Sequence, residues 1–313
     1  MAKKRLNKQQ VERIAKNQAA KLGEENAENG RIIKHSGHQI IVETQGGDRI
    51  ICHIRRNLPP LVVGDSVCLE KDADKGVITT LLERKNLLKR QGRFGKAKSV
   101  AANIDQMLIT IAAKPIFSLF LIDCYLAAAE LNELDAVILY NKADMQDDEN
   151  RLSSLNVYEE LGYPLIQTSC IKNFGVETLN EILRNKASIF VGQSGVGKSS
   201  LIKTLLPDEE IETATISEKQ ALGRHTTTAS YLYPLSSGGC IIDSPGVREF
   251  SLGTISLQQL FKGFKEFSPY EGQCRYRNCS HLGDQGCAIE KAVRLGKIAD
   301  SRYASFQKLL REV

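Results

Sequence analysis

Short apolar runs alternate with Gly, Asp and Pro between Gly30 and about Leu88. Four of these runs have strand length and are rich in β-branched residues: RIIKHSGHQIIVET, DRIICHIR, LVVGDSVCLE and GVITTLLER. Short strands separated by turn residues at regular spacing are typical of a small all-β barrel. The pattern favours an OB-fold. Spacing does not determine strand order, so a five-stranded barrel of another topology remains open.

The hydrophobic period changes after about Ser99. Strand-like runs (DQMLITIAA, DAVILY, YPLIQTS, ASIFVG) alternate with segments of helical spacing (FSLFLIDCYLAAAELNE, RLSSLNVYEELG, VETLNEILRN). Alternating strands and helices predict a parallel sheet with helices on both faces. From about Ile255 the pattern predicts a helix, a cysteine-rich loop and one final helix.

The overall charge is modest, but the basic residues are clustered. The 313 residues include 42 Lys and Arg against 37 Asp and Glu, a formal net charge of +5, with 42% hydrophobic and 25% charged residues. Residues 1–22 carry seven basic side chains and one acid, and residues 84–98 carry seven and none. Such clusters attract the phosphates of RNA. A solvated arm and loop is the alternative interpretation.

The N-terminus lacks the apolar segment of a signal peptide, and no apolar run approaches the roughly 18 residues that span a bilayer. We therefore expect a cytoplasmic protein without a membrane partner. Nothing in the pattern indicates a coiled coil, so a monomer is expected. Three of the eight cysteines lie within residues 274–287. In a reducing compartment such clustering indicates a metal site rather than disulfides.

The cysteine cluster has the spacing Cys274-x4-Cys279-x-His281-x5-Cys287. Three sulfurs and one imidazole nitrogen suit a tetrahedral Zn²⁺ ion with no open coordination position, so the ion would be structural. Reduced cysteines packed in a core are the alternative interpretation.

A phosphate-binding loop is predicted between an apolar strand and a helix. The stretch GQSGVGKSS at residues 192–200 satisfies G-x-x-x-x-G-K-[ST], follows SIFV and precedes SSLIKTLL. Backbone N–H groups would surround an anion, Lys198 would reach the β- and γ-phosphates, and Ser199 would offer a hydroxyl to Mg²⁺. The predicted nucleotide contacts are Gly192, Gln193, Ser194, Gly195, Val196, Gly197, Lys198, Ser199 and Ser200.

The base is predicted to be guanine, because N-K-A-D directly follows the strand AVILY. Asp144 can accept hydrogen bonds from the N1–H and exocyclic amine of guanine, a donor pair that adenine lacks. ATP would leave this carboxylate unpaired. Asn141 would bond the carbonyl edge of the base and neighbouring backbone, and the Lys142 stem would cover the ring. The loop TSC would add Ser169 and Cys170 on the base side.

Two further stretches complete the predicted nucleotide site. CIIDSPG places Asp243 at a strand end in a D-x-x-G arrangement. There its carboxylate would hold Mg²⁺ through water, and the Gly246 N–H would meet the γ-phosphate. Between this motif and the phosphate loop lies GRHTTT, residues 223–228. One of its threonines would bind Mg²⁺ and γ-phosphate together, with Thr227 favoured over Thr226.

The chain order of these motifs differs from that of ordinary GTP-binding proteins, in which the phosphate loop comes before the base loop. Ligands of open α/β sheets bind outside the carboxyl ends of the strands, and every motif here follows a strand. Because the nucleotide requires positions in space, joining the old termini and opening the chain elsewhere preserves the site. The sequence therefore predicts a circular permutation, with VETLNEILRNKA as the joining segment.

This order, with a β-barrel before it and a Cys/His cluster after it, resembles the circularly permuted ribosome small-subunit-dependent GTPase A family (RsgA, also called YjeQ). GRHTTT, IDSPGVREF and the zinc spacing carry the resemblance, which covers the chain from about Arg31 to Val313. It implies late maturation of the 30S ribosomal subunit, contact with its 16S rRNA, and hydrolysis of GTP to GDP and phosphate stimulated by that subunit. One departure is TSC, where a Ser-Ala-Lys-type loop is common among GTPases.

The pattern and the resemblance together predict a multidomain α/β protein in four parts. Residues 1–29 would form a basic flexible arm, and residues 30–98 an N-terminal OB-fold β-barrel that binds RNA and ends in a basic connector. Residues 99–254 would form a circularly permuted P-loop GTPase domain. Residues 255–313 would form a helical zinc-binding domain.

Ras-like enzymes place a water-orienting Gln directly after D-x-x-G, where this chain has Val247. A valine cannot orient water, so we expect slow intrinsic turnover, with Lys198, Mg²⁺ and the backbone stabilising the transition state. His225 lies beside the threonines that include Thr227, and the resemblance implicates it in hydrolysis; an exposed histidine without a catalytic role is the alternative.

Two other functions remain open. One is a nucleotide-regulated RNA-binding module with negligible turnover. The other is a P-loop ATPase or kinase in which NKAD is coincidental.

Overall fold

The computed structural model of the protein describes residues 27–36, 39–72, 75–91, 97–145, 148–206, 229–244, 252 and 255–312. All but three residues of the predicted arm lie outside this part of the chain. So does the stretch GRHTTT, with His225, Thr226 and Thr227, and so does Gly246. The first described strand begins at Ala27, three residues before the predicted start of the barrel.

Strands β1 to β5 close into a barrel. They are β1 (Ala27–Ser36), β2 (Gln39–Thr44), β3 (Arg49–Ile54), β4 (Ser66–Asp72) and β5 (Lys75–Leu81). β1 pairs antiparallel with both β2 and β4, β2 with β3 and β4 with β5, whereas β3 and β5 pair in parallel. The order 1-2-3-5-4-1 is that of an OB-fold. The preferred barrel is thereby confirmed.

Alternating side chains fill the barrel. In β2 the buried positions alternate with half-buried ones, and Ile40, Val42 and Thr44 point inward. In β3 the inward positions are Ile50 and Cys52. This period of two is what a strand with one face on a core requires.

The basic connector forms a hairpin of its own, which the sequence analysis did not predict. Its strands are β6 (Leu87–Gln91) and β7 (Ala97–Ala102), paired antiparallel. Leu88, Val100 and Ala101 are buried, and the Ala102 N–H donates to the Val63 carbonyl at 3.0 Å. Apolar residues between the cations thus allow this segment to pack against the barrel.

Two cations of the connector bind the protein itself. Arg84 donates from Nε to Asp65 Oδ1 at 2.6 Å, and Asp65 is fully buried. Lys85 pairs with Asp105 at 2.6 Å across the boundary to the next sheet. The basic cluster at residues 84–98 therefore has a structural function at its start and is not wholly a solvated loop.

A second group of strands forms a parallel sheet with the order β10-β9-β8-β11-β13. The strands are β8 (Gln106–Ala112), β9 (Asp135–Asn141), β10 (Leu165–Thr168), β11 (Ala187–Val191) and β13 (Cys240–Asp243). The antiparallel strand β12 (Ser230–Pro234), absent from the sequence-based assignment, pairs with β13 and also with β1. The barrel and the parallel sheet are therefore joined through β12 into one hydrogen-bonded sheet.

Helices follow the parallel strands, as the alternating pattern predicts. They are α1 (Leu119–Leu131), α2 (Glu149–Ser153), α3 (Asn156–Glu160), α4 (Val176–Leu183) and α5 (Lys198–Leu205). The predicted helix RLSSLNVYEELG is thus two short helices, and the Asp148 side chain caps the first by accepting from the Asn150 N–H. Among the described helices, none is both long and apolar enough to cross a membrane.

The C-terminal unit contains α6 (Leu257–Lys262), a 3₁₀ helix (Lys265–Tyr270), α7 (Ala288–Arg294) and α8 (Asp300–Glu312). The expectation of one final helix is wrong, because the helix is interrupted between α7 and α8. Gly296 takes a positive φ of 68°, and the Lys297 N–H donates to the Ala292 carbonyl at 2.9 Å. A left-handed glycine with this bond ends a helix.

Candidate functional site

The predicted base and phosphate loops meet at the carboxyl edge of the parallel sheet. β9 and β11 both pair with β8, with Asn141 opposite Ala112 and Val191 opposite Ile109. Asn141 Nδ2 donates to the Val196 carbonyl at 2.9 Å. A direct hydrogen bond thus joins the loop after β9 to the loop after β11, across 55 positions of sequence.

The Asn141 side chain links the base loop to the phosphate loop and to the end of β10. It is 2% exposed. Its Oδ1 accepts from Thr168 Oγ1 at 3.1 Å, and the Thr168 carbonyl accepts from the Ala143 N–H at 3.0 Å. Each end of the Asn141 amide thus makes one hydrogen bond within the protein, which leaves one N–H of Nδ2 and one lone pair of Oδ1. The predicted bond to neighbouring backbone is present, and the contact with the base stays a prediction.

Lys142 also connects the base loop to the phosphate loop. Its ammonium donates to the Gly195 carbonyl at 2.7 Å and to the Lys114 carbonyl at 3.0 Å. The four-carbon stem therefore extends from the base loop to the phosphate loop. This is compatible with a stem that covers a bound ring, as the sequence analysis predicts.

Two glycines of the phosphate loop are required by close contacts. A Cβ at Gly192 would lie 2.2 Å from the Thr110 carbonyl oxygen, and one at Gly197 would lie 2.2 Å from Asn141 Nδ2. Their φ angles are 132° and 97°, in the region that favours glycine. The G-x-x-x-x-G spacing therefore reflects the approach of the loop to β8 and to the base loop.

Lys198 opens α5 and folds back over the phosphate loop. Its Nζ donates to the carbonyls of Gly192 and Gln193, both at 2.6 Å. A phosphate in the loop would offer the ammonium a charge-assisted hydrogen bond, which is stronger than a bond to a neutral carbonyl. The remaining predicted residues lie on the loop and the first turn of α5: Ser194 and Ser200 are exposed, Ser199 is half-buried and Val196 is buried.

Asp144 is exposed at the surface of the predicted site, and its carboxylate accepts a hydrogen bond from the loop after β10. Ser169 Oγ donates to Asp144 Oδ1, and the Lys172 N–H donates to Ser169 Oγ at 3.1 Å. Ser169 itself is 1% exposed, and its backbone exchanges two hydrogen bonds with Phe174 at 3.0 Å. Ser169 thus orients the carboxylate, whereas Cys170 is half-buried and packs against apolar residues.

Asp243 ends β13 at the same sheet edge. Ile242 lies opposite Ile189 of β11, so Asp243 comes level with the last residues before the phosphate loop. The next residue, Ser244, shares a hydrogen bond of 3.0 Å with Ser230 at the start of β12. The Asp243 carboxylate and the Ser199 hydroxyl are oxygen ligands of the kind that Mg²⁺ prefers, so the donor set fits this ion.

The predicted metal ligands form one compact cluster. The ligand atoms of Cys274, Cys279, His281 and Cys287 all lie within 4.8 Å of one another. His281 Nδ1 is 3.6, 3.6 and 3.5 Å from the three sulfurs in that order. Tetrahedral bonds of about 2.3 Å to sulfur and 2.0–2.1 Å to nitrogen would separate these atoms by about 3.6 Å. The side chains therefore fit zinc.

Neighbouring groups hold the metal loop in shape. The Asp284 carboxylate accepts from both the N–H and the hydroxyl of Ser280, each at 2.6 Å. The Tyr303 hydroxyl of α8 donates to the His281 carbonyl at 2.8 Å. Neither Asp284 nor Tyr303 was predicted from the sequence. Only the position of Asp284 among the ligands could have drawn attention to it.

Burial sets the protonation of these ligands before a metal binds. It raises the pKa of the Cys279 thiol to about 12, and hydrogen bonds with the thiols of Cys274 and Cys287 add to this. Burial likewise raises the pKa of Cys287 and lowers that of His281. At neutral pH the imidazole is therefore neutral and able to coordinate, while these two thiols must lose protons to the metal.

The chain is similar to proteins of one family over its whole length. A family model described as RsgA GTPase matches residues 81–253. A relative from Marinobacter nauticus, named small ribosomal subunit biogenesis GTPase RsgA, is 42% identical over 100% of this chain and 97% of its own. A relative of the same name from Hahella chejuensis is 43% identical over 99% of this chain and 96% of its own.

Solved structures show the same similarity. YjeQ from Thermotoga maritima has a TM-score of 0.74 and 34% identity, over 91% of this chain and 98% of that one. YloQ, titled a circularly permuted GTPase, has a TM-score of 0.70 and 26% identity, over 93% and 96%. The similarity therefore includes the barrel, the parallel sheet and the C-terminal unit.

Zinc binding should weaken as the pH falls, because protons compete for the thiols. For each proton displaced, the affinity of the cluster should drop about tenfold per pH unit below the thiol pKa. We expect one zinc per chain at pH 7 by atomic emission, and progressive release to a chromophoric chelator between pH 7 and 4. Cys287→Ser should lose the ion, whereas Cys52→Ser, at a buried barrel cysteine, should retain it. A chain purified without zinc, or equal retention by both variants, would exclude the site.

Proposed function

The chain belongs to the RsgA GTPase family, and on this premise we propose that it binds the small ribosomal subunit, assists its late maturation and hydrolyses GTP under stimulation by that subunit. As a member of the family it is a GTP hydrolase. The observation that carries the proposal is the hydrogen bond from Asn141 to Val196, which places the base loop and the phosphate loop in one site.

Guanine selection is assigned to Asp144. Its carboxylate accepts one hydrogen bond from Ser169 and keeps lone pairs for two donors on the base. Guanine offers N1–H and an amine there, whereas adenine offers an acceptor nitrogen that would repel the carboxylate. Ser169 positions the Asp144 carboxylate, and Cys170 contributes to the wall of the base site through apolar packing.

Phosphate binding is assigned to the loop between Gly192 and Ser200. Its amides and the N-terminal end of α5 provide partial positive charge, and Lys198 adds a full charge at the β- and γ-phosphates. Ser199 and Asp243 would hold Mg²⁺, which when bound neutralises charge on the phosphate oxygens. These groups bind triphosphate in the ground state and become more effective as charge moves toward the leaving oxygen.

We assign the orientation of the attacking water to His225, in the stretch that also carries Thr226 and Thr227. The ordinary glutamine position holds Val247, so the phosphate loop alone would give slow turnover. We infer that binding of the ribosomal subunit brings His225 to the attacking water, with Thr227 and the Gly246 N–H at the γ-phosphate. Binding of GTP would then be separable from its hydrolysis.

A cationic recess on the C-terminal unit is suited to ribosomal RNA. It has a volume of about 520 Å³ and is lined by Arg275, Lys291, Arg294 and Lys297, with no acid among its lining residues. Cys287 belongs both to the Cys/His cluster and to the lining of the recess, so a bound zinc ion would fix one wall of the recess. We assign this surface to the 16S rRNA backbone, with zinc in a structural role. The proposed form is a cytoplasmic monomer.

Replacing Asp144 should abolish the preference for guanine. Asp144→Asn puts an amide donor against the donor edge of guanine, and the loss should be at least about tenfold in GDP affinity. Fluorescent GDP and ADP titrations measure the ratio. Asp135→Asn, at an exposed carboxylate at the start of β9 and so at the opposite end of this strand from the base loop, is the matched control and should bind GDP normally. Equal affinity of the unmodified protein for GDP and ADP would contradict the assignment.

Phosphate release with and without purified 30S subunits tests the function itself. The unmodified protein should be slow alone and faster by at least about tenfold with 30S subunits, since the partner completes the site. His225→Ala should lose this stimulation while binding GDP normally. An RNA-binding module without turnover would show no stimulation in either protein. Equal stimulation in both would remove His225 from the mechanism.

Charge removal in the recess should weaken subunit binding in a salt-dependent manner. Lys291→Ala and Arg294→Ala should each lower 30S affinity, and each should reduce the slope of log K against log salt by roughly one, because each phosphate contact releases counterions. Lys203→Ala, at an exposed lysine of α5, should leave the slope unchanged. Sedimentation with 30S subunits at several KCl concentrations measures this. Unchanged slopes in both recess variants would place the RNA elsewhere.

A further inference from the structure

Helix α1 is shared between two packed cores. Tyr125 and Leu126 pack under the parallel sheet, whereas Cys124 and Ala127 pack with the C-terminal unit. The second core also contains two of the metal-ligand cysteines. Eight consecutive residues of α1, from Ile122 to Ala129, are buried, so the helix has neighbours on every side. α1 therefore lies between the parallel sheet and the C-terminal unit and contacts both.

One side of α1 is attached to the C-terminal unit by buried charges. Arg302 of α8 donates from Nη1 to Asp123 Oδ1 at 2.6 Å, with side chains 1% and 0% exposed. Its Nε donates to Glu266 Oε1 at 2.6 Å, and the Tyr158 hydroxyl donates to Asp123 at 2.9 Å. Displacing α8 from α1 would leave buried charges unpaired, which is strongly unfavourable. The two helices should therefore move together.

The other side of α1 is attached to the phosphate loop. Tyr125 and Gly192 line one small cavity. Burial raises the pKa of the Tyr125 hydroxyl, and the backbone N–H of Gly192, which faces this hydroxyl, opposes that rise. The Gly192 carbonyl accepts from Lys198 Nζ at 2.6 Å. Gly192 lies so close to Thr110 of β8 that no Cβ would fit. Gly192 therefore lies beside both Tyr125 of α1 and Thr110 of β8, and its carbonyl binds the lysine of the phosphate loop.

Asp123 and Tyr125 point to opposite sides of α1, because residues two apart on a helix differ by about 200° in direction. We propose that α1 couples the position of the C-terminal zinc unit to the geometry of the phosphate loop, with Tyr125 as the positioning residue that acts on Gly192 and Lys198. The proposal rests on the proposed function only in taking this loop as the guanine nucleotide site.

Such coupling is reciprocal. If the C-terminal unit changes the affinity of the loop for nucleotide, nucleotide changes the C-terminal unit by the same free energy. The effect of nucleotide on α8 can be measured without any ribosomal partner.

Hydrogen exchange on the full-length, zinc-loaded chain, with and without saturating GDP and Mg²⁺, tests the proposal. In the unmodified protein GDP should slow exchange in peptides from the phosphate loop, from α1 and from α8. Tyr125→Phe keeps the ring in the core and removes only the hydroxyl. It should require several-fold more GDP, retain the response of the phosphate loop at saturation, and lose the response of α8.

Tyr163→Phe is the matched control. Tyr163 is also buried, and its hydroxyl donates to Glu130 of α1 at 2.8 Å, away from the phosphate loop. It removes a similar buried hydrogen bond, so a general loss of stability would appear in both variants. Tyr163→Phe should keep the α8 response. Asp123→Asn, which retains an oxygen acceptor for Arg302, should weaken the α8 response from the other end of the connection.

Two outcomes would overturn the coupling: an α8 response that persists unchanged in Tyr125→Phe, or an unmodified protein in which GDP protects the phosphate loop and leaves α8 unaffected. A third outcome, no protection of the phosphate loop by GDP, would refute the nucleotide site and the coupling together. If Asp123→Asn does not fold, the comparison of Tyr125→Phe with Tyr163→Phe still decides.

Discussion

The hydrogen bond from Asn141 to the Val196 carbonyl determines how far the base loop lies from the phosphate loop. It is buried, and Gly197 leaves no room for a side chain beside it. In the proposed site, a nucleotide with its phosphates on the β11 loop would present its base to the β9 loop. This distance depends on that bond and on the parallel strands β9, β8 and β11, and not on chain order. That is why a permuted chain can keep the site.

The same sheet connects the nucleotide site to both flanking units. On one side β12 pairs with β13, which ends at Asp243, and with β1 of the barrel. On the other side α1 lies against the phosphate loop through Tyr125 and against the C-terminal unit through Cys124 and Ala127. The proposed nucleotide site is therefore in contact with both the barrel and the C-terminal unit, as the proposed coupling to an RNA surface requires.

The sequence was sufficient where chemistry is concentrated in short segments. GQSGVGKSS, NKAD and the Cys/His spacing each predicted a local arrangement that the structure shows, and the strand-helix alternation predicted the sheet. The sequence did not predict contacts between residues that lie far apart in the chain. Nothing local indicates that Asp123 meets Arg302, 179 positions away, or that Tyr125 meets Gly192. The break at Gly296 was missed because helical spacing continues through it, and the connector hairpin because its cations masked a few alternating apolar residues.

A crystal structure of the zinc-loaded protein with GDP and Mg²⁺ tests the central claim most directly, which is that scrambled motifs form one guanine nucleotide site. The account predicts the Asp144 carboxylate within hydrogen-bond distance of guanine N1 and N2. It also predicts Lys198 Nζ on the β-phosphate of the same molecule, with the Asn141 bond to Val196 intact. A nucleotide held by the phosphate loop with its base turned away from Asp144 would contradict it.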